Sequence, residues 1–139
     1  VELQALCSGA WVDISKLAAS VAVDGGDFDI GEIKLFGEDH PSVAVGKHNR
    51  MNVTIRALYT EDALEPYELV KTAYETYCDH GICARWTPLG DGTPGNNIFT
   101  TISGVLTTPV YPAGDASSAD PCVIEFTITC PRIEESAVA

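Results

Sequence analysis

From Met51 to Tyr59 every second residue is apolar. Met51, Val53, Ile55, Ala57 and Tyr59 alternate with Asn52, Thr54, Arg56 and Leu58. Successive side chains of a strand point to opposite faces, so this period of two, rich in β-branched residues, predicts a half-buried strand over Asn49–Tyr59. The period returns over Cys122–Cys130. There Cys122, Ile124, Phe126, Ile128 and Cys130 share an apolar face, and Glu125, Thr127 and Thr129 point the other way with Val123. Pro121 and Pro131 mark its expected limits, because proline cannot donate to a strand ladder. Shorter strand candidates are Leu3–Cys7, Ala18–Val23, Phe28–Phe36, Val43–Val45, Ala84–Thr87 and Ile98–Thr107, with Gly31 and Gly104 expected at bulges.

One segment carries a different period. In TEDALEPYELVKTAYETYC, Tyr67, Val70, Tyr74 and Tyr77 recur at spacings of three and four, which predicts a helix over about residues 65–79. Pro66 suits its first turn, and Glu61, Asp62, Glu65 and Glu68 place negative charge at the positive end of the helix dipole. Turns are expected at Gly25-Gly26 and Gly37, and two long polar loops at Gly90–Asn97 and Pro112–Pro121. Loops of that length in a small domain usually carry function or an interface. The pattern predicts a mainly β fold with one helix and long inter-strand loops, as one domain over residues 1–139.

The stretch YCDHGIC, from Tyr77 to Cys83, crowds Cys78, His80 and Cys83 together. A structural zinc site needs four ligands, commonly as two close pairs, and the second pair is missing. Cys78 instead completes the helical stripe, Gly81 is placed to end the helix, and Cys83 opens the next strand. Five cysteines form an odd set. Cys122 and Cys130, on one extended strand, would stand about 27 Å apart, far beyond the roughly 7 Å a disulfide spans. The set is expected to be reduced thiols, mostly small core hydrophobes.

The net charge of −12, from 20 acidic against 8 basic residues, changes the picture most. Asp24, Asp27, Asp29, Glu32, Glu38 and Asp39 face only Lys34 within residues 24–39. Affinity for phosphates comes from Lys and Arg, so this chain repels nucleic acid. The charge serves either plain solubility or a surface that polyanions pass without sticking. DGGDFDIGE does not keep the register of a helix-flanked calcium loop and reads as a solvated turn between strands. No nucleophile elbow, phosphate-binding glycine loop or base–nucleophile pattern is present, so no enzyme, cofactor or metal is expected. No apolar run approaches the roughly 20 residues of a membrane span, and no signal peptide or membrane insertion is expected.

The order of parts carries a resemblance. A long strand runs into a helix in MNVTIRALYTEDALEPYELVKTAYE, followed by the extended ARWTPLG, a Gly/Asn-rich loop, NNIFTTISGVLTTPVYPAGD, and the final strand CVIEFTITCPRI. From about Gly46 to Ile133 the chain resembles the tail tube (major tail) proteins of long-tailed, non-contractile bacteriophages, in the texture of strand, helix and loop rather than in a sharp motif. The resemblance implies a β-sandwich or barrel flanked by the helix at about residues 65–79, its tyrosine stripe packed on the outer side of the sandwich, in a structural virion protein assembled in the bacterial host cytoplasm. Its copies would form six-fold rings whose sheets join into an inner β-barrel, stacked through long loops into a tube. Other tail proteins would meet the tube ends, and the genome would pass through an acidic bore without specific binding. Asp24, Asp27, Asp29 and Glu32, with Glu125 on the polar face of the last strand, are the acids expected to face that bore. A capsid decoration or surface-binding β-sandwich module stays open as the alternative; it fits the same strands, loops and acidity without needing self-pairing edges.

Overall fold

The structure, a computed structural model, describes residues 1–76, 81–90, 93–114, 116–117 and 119–138. In chain order its elements are β1 (Glu2–Ala5), β2 (Val12–Asp13), β3 (Ala18–Gly25), β4 (Phe28–Ile33), β5 (Ser42–His48), β6 (Met51–Leu58), α1 (Pro66–Thr76), β7 (Ile82–Trp86), β8 (Asn97–Ile102), β9 (Val105–Leu106), β10 (Val123–Cys130) and β11 (Arg132–Ala137). Two antiparallel sheets form a sandwich, one in the order β11-β8-β7-β1-β2 and the other β3-β6-β10-β9; β4 and β5 make a separate two-stranded hairpin.

The two strands of clearest alternation lie at the centre of the four-stranded sheet. β6 and β10 pair along eight positions, from Val123 opposite Leu58 to Cys130 opposite Met51. That register puts Val53, Ile55 and Ala57 beside Ile124, Phe126 and Ile128 on the buried face, where they meet Leu3, Ile82 and Ala84 of the five-stranded sheet. Each fully buried aliphatic side chain contributes about 1.5–3 kcal/mol, so these two strands dominate the hydrophobic stabilisation. Gly104, between β8 and β9, permits the sheets to approach. A Cβ there would lie 2.4 Å from the Ile82 carbonyl oxygen and 2.7 Å from Ile128 Cγ2.

The helix keeps its expected place, but the burial is shifted. Val70 and Ala73 are fully buried in the core cluster, and Tyr67 and Tyr74 flank them half-buried. The small residues let the helix close on the core near β1, and the larger phenol rings lie at its margin. The expected helix end at Tyr77–Cys78 and His80 lies outside the described residues.

Three strand expectations need correction. Ile98–Thr107 is two strands, broken where Ser103 takes a φ of 54° beside Gly104. The strand before Pro131 ends at Cys130 as expected, but it is not the final one: the chain switches sheets there and continues as β11, paired with β8 from Arg132–Ile102 to Ala137–Asn97. The bulge expected at Gly31 falls elsewhere, with Gly46 and Lys47 together opposite Asp29, since Phe28 pairs with His48 and Ile30 with Val45. A second irregularity sits at Ala19 in β3, between Ala18 opposite Ala57 and Ser20 opposite Arg56.

The cysteine expectation is also overturned in part. Cys7 and Cys83 form a disulfide between the segment after β1 and the start of β7. Spacing could not reveal it: the two are 76 positions apart and meet only because β1 and β7 are neighbours. Cys122 is exposed and precedes its strand, so it does not share the buried face. Cys130 does, and burial pushes its thiol pKa up, which suits an inert core group.

Candidate assembly surface and acidic face

The face of the four-stranded sheet that points away from the core is polar, and its rows follow from the register. Ser20, Arg56 and Glu125 form one row across β3, β6 and β10; Ala22, Thr54 and Thr127 form the next; Asp24, Asn52 and Thr129 form the third. Thr54 and Thr127 share a hydroxyl hydrogen bond of 3.0 Å, and the Thr129 hydroxyl donates to Asn52 Oδ1 at 3.1 Å. Cross-strand pairs of this kind fix register, and their mutual satisfaction leaves a hydroxyl- and amide-lined surface. Arg56 is the single base in the rows, directly opposite Glu125.

The five acids expected to act together are divided by the fold. Asp24 and Glu125 lie on this polar face, two rows and two strands apart. Asp27, Asp29 and Glu32 belong to the β4–β5 hairpin and its root, and all five are exposed. Asp29 lies opposite the Gly46–Lys47 bulge and Glu32 opposite Val43. Among the described residues no three His, Cys, Asp or Glu side chains are placed to hold a metal ion. No helix of the described residues is long and apolar enough to cross a membrane.

The sheet edges differ in a way the sequence pattern did not reveal. The five-stranded sheet ends in β11, which carries Arg132, Glu134 and Glu135, and in the two-residue β2. Charged and very short edges resist pairing with another chain. The four-stranded sheet ends in β3, whose residues Ala18–Val23 carry no charge over six positions. Its other edge is incomplete: β9 pairs with β10 only at Ile128 and Thr129, and Ala113 bridges only Val123. Among the described residues no strand covers Ile124–Thr127 on that side.

Beyond the sheet, the hairpin exposes Phe28, Ile30, Ile33, Val43 and Val45, with Leu35 and Phe36 in its tip. The weak alternation of Phe28–Phe36 and Val43–Val45 in the sequence signalled strands but not that they would stand outside the core. Gly25 sets the hairpin root with a φ of 82°, and a Cβ there would meet the Arg50 carbonyl oxygen at 2.4 Å.

This architecture, a sandwich with one helix and a projecting hairpin, is similar in fold to chains of solved tail and injection-system particles. Over 98% of its length the chain matches 92% of a chain in the extended-state sheath/tube terminator structure of an extracellular contractile injection system, PVC, with a TM-score of 0.63 at 17% identity. A chain from the tail of an empty GTA particle, refined with six-fold symmetry, matches with a TM-score of 0.63 at 9% identity, covering 99% of this chain and 93% of that one. The tube-terminating cap of the anti-feeding prophage matches with a TM-score of 0.61 at 15% identity, covering 98% and 87%. Neither a protein-family model nor a curated protein matches the sequence. The likeness is one of fold, and it extends over nearly the whole chain.

Proposed function

We propose that this chain is the subunit of a tail tube of the long-tailed, non-contractile phage type. Its copies join into six-fold rings that stack into an acidic conduit for the genome, with other tail proteins at the tube ends. The observation that carries the reading is the four-stranded sheet, with one uncharged edge, one incomplete edge and a polar outer face. Its strands alternate in direction from β3 to β9. The β3 of one copy laid beside β9 of the next, along the line that Ala113 continues, therefore keeps the antiparallel pattern, and rotation about one axis closes the sheet and removes both edges. The polar rows then line the bore, with Asp24 and Glu125 among them.

A like-charged wall does not bind DNA, so a genome slides past without being held. The reading places the protein in the tail of the virion, built in the host cytoplasm. Likeness to a terminator and a tube cap favours a second form of the same role, in which one ring closes the tube instead of extending it.

Sedimentation velocity tests the proposal. Copies carrying −12 each repel one another, and the screening length falls from about 10 Å at 0.1 M salt to about 3 Å at 1 M. The monomer is therefore expected to give way to a discrete ring species as concentration and salt rise. A terminator stops at that species, and a tube subunit continues to rods. A protein that stays monomeric throughout fits the decoration module and not the tube.

A further inference from the structure

The hairpin and the sandwich carry two apolar surfaces that complement each other. Phe28, Ile30 and Glu32 alternate onto one face of β4, and the register sets Val45 against Ile30 and Val43 against Glu32. Phe28, Ile30, Val43 and Val45 thus form one apolar patch, with Ile30 70% and Val45 64% exposed. Glu32 lies at the outer end of that patch, and the His48 ring covers Phe28 at 3.8 Å between centroids. A two-stranded hairpin with an open apolar face is marginal in water, and a partner surface over that face would stabilise it.

At the hairpin root the sandwich is open. Val23, Met51, Trp86, Phe99, Ile133 and Glu135 line a groove of about 430 Å³. Val23 points to the core side of β3, yet it is 45% exposed, because it faces this groove instead of a packed partner.

We propose that the hairpin of one copy seats its apolar face in this groove on the next copy around a ring. The proposal rests on the ring reading above and names a contact within it. The chain's own hairpin is held away from its own groove. Gly26 N–H donates to the Arg50 carbonyl at 3.1 Å, and Asn49 N–H donates to the Asp27 carbonyl at 2.8 Å. These bonds carry the β3–β6 ladder straight into the hairpin. The Gly46–Lys47 bulge then bends it, as an extra residue in one strand does. Rotation within a ring leaves all grooves and all hairpin roots at one level, so a hairpin that swings sideways meets a neighbour's groove. At the root the charges are opposite, Lys47 and Arg50 on the hairpin side against Glu135 at the groove rim, while the hairpin acids Asp27, Asp29 and Glu32 must stay in solvent in such a contact. A projection on one face and a receptor on another make a heterologous contact, which propagates until a ring closes.

Val45→Glu spoils only the hairpin and Phe99→Glu only the groove, away from the β3 and β9 edges, and neither side chain belongs to the buried core cluster, so the monomer fold is expected to survive. Under conditions where wild-type protein forms rings, each variant alone is expected to sediment as a monomer. An equimolar mixture is expected to yield a particle of twice the monomer mass and nothing larger, because one good hairpin meets one good groove and the chain of contacts stops. If either variant assembles like wild type, or if the mixture stays monomeric, the contact is wrong even though the ring reading stands. A wild-type protein that never leaves the monomer overturns the ring reading and this contact with it.

Discussion

Replacing Asp24 and Glu125 by lysine is expected to turn assembled tubes that release DNA into tubes that hold it. Each substitution changes the local charge by two, and the two positions lie on the same polar face as the neutral Thr54, Thr127 and Asn52. Repeated around a ring, they give a lysine-lined wall. DNA retention by lysines is a counterion-release effect, so co-sedimentation of linear DNA with the tubes should be strong near 50 mM salt and fall by at least tenfold by about 200 mM. Lysines at Glu68 and Glu75 on α1 control for charge outside the bore and should leave DNA release from filled particles unchanged. If the α1 variants trap DNA and the Asp24/Glu125 pair does not, the polar rows face outward. Neutralising Asp27, Asp29 and Glu32 separates the hairpin acids from the sheet acids in the same assay, since they stand on a different element.

The second large effect concerns stability. Reducing the Cys7–Cys83 disulfide is expected to cost about 4 kcal/mol of unfolding free energy. The two residues are 76 positions apart, and closing a loop of that length removes about 4.5 kcal/mol of chain entropy from the unfolded state at 25 °C in the chain-entropy model. Against a small domain's total stability of roughly 5–15 kcal/mol, such a loss removes about a quarter to four-fifths. Urea unfolding with and without reductant measures it. Cys7→Ser should unfold at the reduced wild-type midpoint and ignore reductant. Identical midpoints for oxidised and reduced wild type would show that the bond adds nothing. The bond persists only where the surroundings oxidise, so particles matured outside a reducing cytoplasm would be the more robust.

How much was legible in the chain depended on the kind of signal. β6 and β10 showed themselves through strict alternation, because one face of each is buried and the other is not, and α1 through its three- and four-residue spacings. β11 did not, because RIEESA is an exposed edge strand with a single half-buried residue, Ile133, and follows a proline that normally ends a ladder. β2 is only two residues long and leaves no period to detect. The disulfide was invisible because it depends on which strands become neighbours. For the same reason the acids could be named but not sorted: DGGDFDIGE runs without a break in sequence, yet the Gly25-Gly26 turn puts Asp24 on the sheet and the later acids on the hairpin. Edge protection was also hidden, since an uncharged AASVAV run means one thing at a sheet edge and another at its centre.

Electron cryo-microscopy of the purified protein, assembled at high concentration and salt, tests the central claim most directly. The account predicts hollow rings or rods whose inner wall is a continuous antiparallel barrel, with β3 of each copy against β9 of the next and Asp24 and Glu125 facing the lumen. Compact particles with the β3 edge open to solvent, or a tube whose wall is built from the β11-β8-β7-β1-β2 sheet, would contradict it.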